Sequence, residues 1–105
     1  MSGEDKHEIQ SFLRLIVSTT RKQRLALFRN ITSKQCHFIR QVAYNILINT
    51  SLQISEKDRS YLRRSIGLLK KLASRRIDLE DKKKIVLDRH LLIKRIASIA
   101  LQYLQ

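Results

Sequence analysis

Apolar residues recur along this chain at spacings of three, four and seven, which places them on one face of an α-helix. Proline is absent and glycine occurs only twice, so few breakers interrupt the pattern and helix is expected throughout. The prediction is an all-α fold, a compact single-domain bundle of five to six short helices over residues 1–105.

In the first helix Asp5 is the expected cap, with Glu8 three residues on, and Ile9, Phe12, Leu13 and Ile16 form the inner face. Ser18, Thr19 and Thr20 interrupt it. A short basic second helix, RKQRLALFRN, turns Leu25, Leu27 and Phe28 inward and stops at Asn30. Cations in its first turn oppose the helix dipole, so tertiary packing must hold it. Thr32 or Ser33 starts the third helix, with Cys36, Ile39, Val42, Ala43, Ile46 and Leu47 inward to about Asn49. Asn49-Thr50-Ser51 reads as a turn, after which Leu52 and Ile54 tuck inward.

The clearest pattern lies at Ser55–Arg76, read as one helix. At about 100° per residue, Tyr61, Leu62, Ile66, Leu68, Leu69, Leu72 and Ala73 fall on one side, and Arg59, Arg63, Arg64, Lys70, Lys71 and Arg75 on the other. Ser60, Gly67 and Ser74, seven apart, run along the cationic side as a low strip. Such a strip has room for a phosphate backbone or, alternatively, for a close-packed helix. Ser55 with Asp58 makes a capping-box variant worth about 1 kcal/mol. Beyond Arg76, Asp78 caps a short helix, LEDKKKIVLDR, whose acids precede its bases as the dipole prefers. The last helix, His90–Gln105, carries Leu92, Ile93, Ile96, Ala97, Ile99, Ala100, Leu101, Tyr103 and Leu104 over roughly 200° of arc. So wide a face belongs in the middle of the bundle or in a homodimer, and the first is favoured because a small domain needs its apolar surface for one core.

Composition sharpens the functional expectation. The chain has 22 Lys and Arg against 9 Asp and Glu, a formal net charge of +13 and a pI near 10.6, which points to a polyanionic partner. The excess is uneven: residues 1–20 carry −1, residues 21–58 carry +5 and residues 59–105 carry +9. The single Cys36 excludes an intramolecular disulfide and is most simply a small core hydrophobe. With no signal-peptide pattern and no apolar run of about 18 residues, the expectation is no membrane association and an intracellular protein, in the nucleus or a virion.

No catalytic or cofactor constellation is legible. His7, His37 and His90 are scattered, and one cysteine cannot complete the usual zinc spacing, so neither a metal nor another cofactor is expected. Cys36 and His37 are adjacent, which on a helix aims them about 100° apart and not at each other. The expectation is a non-enzymatic protein. Its candidate nucleic-acid-binding residues are Arg59, Arg63, Arg64, Lys70, Lys71, Arg75, Arg76, Lys82, Lys83 and Lys84, with Lys94 and Arg95 as neighbours. These can neutralise phosphates of duplex DNA, and engaging ~6 phosphates gives a log-log salt slope of about −5. Gln23, Gln35, Gln41 and Asn45 are not clustered with them, so sequence-specific base readout is not expected. The alternative is a helical interaction module, an adaptor or small viral structural protein whose basic face meets an acidic protein.

A family resemblance rests on Asn45-Ile-Leu-Ile-Asn49, Leu52-Gln-Ile-Ser55, Tyr61-Leu-Arg-Arg64 with Leu68 to Ala73, and Lys82-Lys-Lys-Ile85. From Arg14 to Leu104 the chain resembles small basic helical proteins of Maverick/Polinton-type and adintovirus-like elements, which lie among virion genes. That group commonly has a Gly-Gly pair where this chain has Arg89-His90, so the link into the last helix is expected to be built differently here. The resemblance implies a virion or genome-associated role and transfers no catalytic residue.

Overall fold

Leu92, Ile93, Ile96, Ala97, Ile99 and Ala100 are all buried, and the helix that carries them lies at the centre of the core. A computed structural model describes residues 3–49 and 53–103, with side chains from Lys6 onward. Among the described residues there are seven helices and no strand: α1 (Gly3–Ser18), α2 (Arg21–Arg29), α3 (Ser33–Ile48), α4 (Glu56–Arg64), α5 (Ile66–Ala73), α6 (Leu79–Asp88) and α7 (His90–Tyr103). α1 and α3 pack on α7, α5 packs on α3, and α2 packs on α6. Residues 50–52 and Leu104, where a turn and two inward side chains were expected, lie outside the described residues.

The helix count is two or one above the expected five or six, because Ser55–Arg76 is not one helix. It divides at Ser65, whose φ of −103° and ψ of 12° leave the helical region, and it ends at Ala73. The Ser65 amide donates to both Tyr61 O at 3.2 Å and Leu62 O at 3.1 Å, closing α4, and α5 restarts one residue later. Two dockings meet at this corner: Leu69 and Leu72 are buried on the α5 side that faces α3, while α4 is tied to α7. Serine and glycine in the sequence Ser65-Ile66-Gly67 weaken the helix where it must bend. The corner also moves Ile66 off the apolar face, where the single-helix wheel put it, to 42% exposure.

Local capping accounts for the starts of α2 and α3. Thr20 and Thr32 each accept from the amide three residues on, and Gln23 and Gln35 return a bond to the threonine amide. The first of these two Thr-x-x-Gln boxes lies in the stretch that the apolar pattern marked only as an interruption. Asp5 is not a cap, since α1 is already running at Gly3. Ser55 caps α4 by accepting from the Asp58 amide at 3.1 Å, but Asp58 does not complete the box. Its carboxylate goes to Arg95 instead. In α2, Phe28 is buried as expected, whereas Leu25 and Leu27 are half-buried and Arg24 takes the second buried position.

α4 has one buried apolar residue, Leu62, so its attachment depends on polar contacts. Arg95 of α7 supplies them: its Nη1 lies 2.6 Å from Asp58 Oδ1, and its guanidinium sits 4.6 Å from the centre of the Tyr61 ring. Both side chains of the ion pair are partly shielded, at 32% and 20% exposure. Replacing Arg95 by Met should therefore destabilise the fold by about 1–2 kcal/mol. Chemical denaturation would read the loss, and hydrogen exchange of the α4 amides should rise more than that of α3.

Candidate nucleic-acid interface

The chain has far more cations than carboxylates, and the described residues show how few are matched. Lys34 pairs with Glu8 at 2.6 Å, Lys83 with Glu80 at 3.7 Å and Arg95 with Asp58 at 2.6 Å. Arg59, Arg63, Arg64, Lys70, Lys71, Arg75, Arg76 and Lys84 are exposed and make no ion pair among the described residues. The corner at Ser65 splits them into two groups. Arg59, Arg63 and Arg64 project from α4, whereas Lys70 and Lys71 lie on α5 and Arg75 and Arg76 on the link to α6. Ser74 shapes that link, accepting from the Arg76 amide at 3.0 Å.

The strip of small residues is consequently not one groove. Ser60 belongs to α4, Gly67 to α5 and Ser74 to the cap beyond it. A Cβ built on Gly67 would meet nothing within 4 Å, so none of the described helices uses that glycine for close approach.

Three of the expected binding residues and neighbours have other work. Lys83 is half-buried against Glu80, and Arg95 is the strut between α7 and α4. Lys82 is 7% exposed, not part of a solvated lysine run. It sits one turn into α6 on the side facing α3, and no carboxylate or hydrogen-bond partner reaches its ammonium among the described residues.

Around Lys82 lies a cluster that the sequence reading missed. His37, although exposed, is held below the usual histidine range by partial desolvation, then by the charges of Arg40, Arg75 and Lys82. Lys82 is itself lowered, chiefly by burial and also by Arg40, with Cys36 acting in the other direction. Burial raises the Cys36 thiol, against the opposing charges of Lys82 and Lys83. Two cavities open here and share Arg40: one of about 150 Å³ bounded by Cys36, His37, Ile77 and Lys82, and one of about 500 Å³ bounded by Gln41, Tyr44, Asn45 and Arg75. The available signal was Arg40, the lone Lys, Arg, Asp or Glu between Cys36 and Asn49.

No family model, curated protein or solved structure matches this chain. Among the described residues no three His, Cys, Asp or Glu side chains gather closely enough to hold a metal ion, and no helix is long and apolar enough to cross a membrane. Cys36 is buried while His37 is exposed, in keeping with their divergence on the helix.

Two histidines serve as acceptors for arginines. The buried Arg24 donates from Nε to His90 Nδ1 at 3.2 Å and from Nη1 to Thr19 O at 3.4 Å, joining α2 to α7. Arg40 Nε lies 3.5 Å from His37 Nδ1, at the limit of a hydrogen bond. Each arrangement needs a neutral imidazole. His90 is lowered by burial and then by Arg24 and Arg21, as His37 is by its own neighbours. A histidine depressed in the folded state binds its proton more readily when unfolded, so its stabilising effect is complete above the ordinary value of about 6.5 and is lost as pH falls below it. The two histidines should thus contribute no change above neutrality and lower the melting temperature as pH falls below about 6.5. In the double variant His37→Gln/His90→Gln, which keeps an acceptor at both positions, that part of the decline should disappear.

Proposed function

We propose that this protein is a non-enzymatic nucleic-acid binder that holds the phosphate backbone of duplex DNA with little sequence preference, in a genome-associated role in a nucleus or virion. The observation that carries the reading is the set of eight exposed cations, from Arg59 to Lys84, without ion-pair partners among the described residues. Unpaired arginine and lysine at this density bind by releasing counterions from a phosphate backbone, which is strong and indiscriminate. Two of the amides that could read bases are engaged elsewhere, since Gln23 and Gln35 complete capping boxes. The resemblance to the basic proteins of Maverick/Polinton-type and adintovirus-like elements supports the same role.

A second reading is an acidic protein partner, favoured by the exposure of Ile66 one turn before Lys70 on α5. An apolar side chain beside a cation suits an amphipathic acidic helix. Salt-dependent binding to random-sequence duplex DNA, set against an acidic polypeptide of equal charge, separates the two. DNA binding should show a log-log salt slope of about −5 and exceed binding to the polypeptide. The variant Arg63→Glu/Arg64→Glu/Lys70→Glu/Lys71→Glu should keep its helical circular dichroism, because all four side chains are exposed, and lose DNA binding at about 0.15 M salt. Equal binding to both polyanions would overturn the DNA reading in favour of the acidic partner.

A further inference from the structure

We propose that the cleft between α3, the α5–α6 link and α6 is a nucleotide site, in which Arg40, Arg75 and Lys82 receive a phosphate group and Tyr44 and Gln41 receive the base attached to it.

The phosphate half follows from an arrangement that folding alone does not favour. Lys82 is buried to 7% exposure, and its ammonium has no carboxylate and no hydrogen-bond acceptor among the described residues. Arg40 borders one cavity with Lys82 and His37 and the other with Arg75, and Arg40, Arg75 and Lys82 all lie within electrostatic reach of His37. Collecting cations around a lysine whose stem is buried and whose ammonium only touches solvent opposes stability unless an anion neutralises them. Lys84, two residues on, shows that the same helix can leave a lysine in solvent. Both cavities border Arg40, and a guanidinium there presents its planar fork to a phosphate while Lys82 adds a point charge from the inner side.

The base half rests on different groups. The larger cavity, about 500 Å³, contains Gln41, whose Oε1 is buried with no donor. Buried acceptors are nearly always satisfied, and the exocyclic amine of a nucleobase is a donor of the right kind. Tyr44 borders the same cavity with 48% of its surface exposed, which offers a ring face for stacking. Phosphate on one side and a flat, donor-bearing ring on the other describe a nucleoside monophosphate unit, either free or as an unpaired residue of a strand. The inference takes its ligand class from the DNA-binding reading and shares Arg75 with it.

The test titrates the full chain with inorganic phosphate, adenosine 5′-monophosphate and adenosine, followed by calorimetry and by the NMR signals of His37 and Arg40. The monophosphate should bind more tightly than either fragment and shift both residues. Arg40→Gln/Arg75→Gln should weaken it by about tenfold or more. Lys82→Met, which replaces an unpaired cation on a buried stem with an apolar chain of similar length, should abolish phosphate binding and raise the melting temperature. A lower melting temperature in that variant would make Lys82 a structural residue and overturn its role. Adenosine monophosphate binding no tighter than phosphate would overturn the base half, and no response of His37 or Arg40 to either anion would overturn the site. The four-residue glutamate variant should retain monophosphate binding within a few-fold. Duplex binding with no monophosphate response would remove the cleft and leave the surface reading intact; the reverse result would remove the surface reading alone. A short single strand ending in a 5′-phosphate, run against a hairpin without one, distinguishes a strand residue from a free nucleotide.

Discussion

The burial of α7 is the constraint on which the rest depends. Its apolar residues face α1 on one side and α3 on another, and these contacts must hold together a chain whose charges repel one another at a formal net charge of +13. The radius of gyration, 12.8 Å, matches the ~13 Å of a well-packed domain of this length, so the repulsion is overcome without expansion. The consequence for α7 itself is that its apolar face is taken up internally, leaving Leu91 and Tyr103 as the large apolar side chains that it exposes. α4, with one buried leucine, is held most lightly.

Cations in this fold do three kinds of work. Arg24 and Arg95 are struts, each crossing between helices distant in sequence, one to a neutral imidazole and the other to a carboxylate and an aromatic ring. Lys82, with its stem buried, and the more exposed Arg40 and Arg75 form a concentration of positive charge with no counter-charge among the described residues. Most of the others among the described residues face solvent, and Lys34 and Lys83 pair with carboxylates. A single net-charge figure cannot separate these groups, because a guanidinium that stacks on Tyr61 and one that projects from α4 count the same in it.

Helical periodicity made most of the core legible from sequence. Ile9, Phe12, Leu13 and Ile16, the inner face of α3, and the buried run of α7 are where the spacing puts them. The wheel misled at Ser65, since a wheel assumes one straight axis and the corner arises from two separate dockings, marked in the sequence only by the weak helix formers Ser65 and Gly67. Lys82, set with Lys83 and Lys84 among the candidate phosphate contacts, is covered by α3. The exposed cations were readable because nothing in the fold needs them. The cluster of Arg40, Arg75 and His37 was not, because it joins α3 to a link some 35 residues later, a pairing set by tertiary contact alone.

The corners at Ser65 and Arg89 share a property with a wider consequence. In both, one non-helical residue separates two helices, α4 from α5 and α6 from α7. A corner of that length has no slack. One inserted residue would rotate the following helix by about 100° and advance it by about 1.5 Å, carrying Leu69 and Leu72 away from α3 or Ile93 and Ile96 out of the centre. Variation in chain length is therefore confined to connections such as Ser74–Asp78, and at these two corners sequence can change by substitution alone.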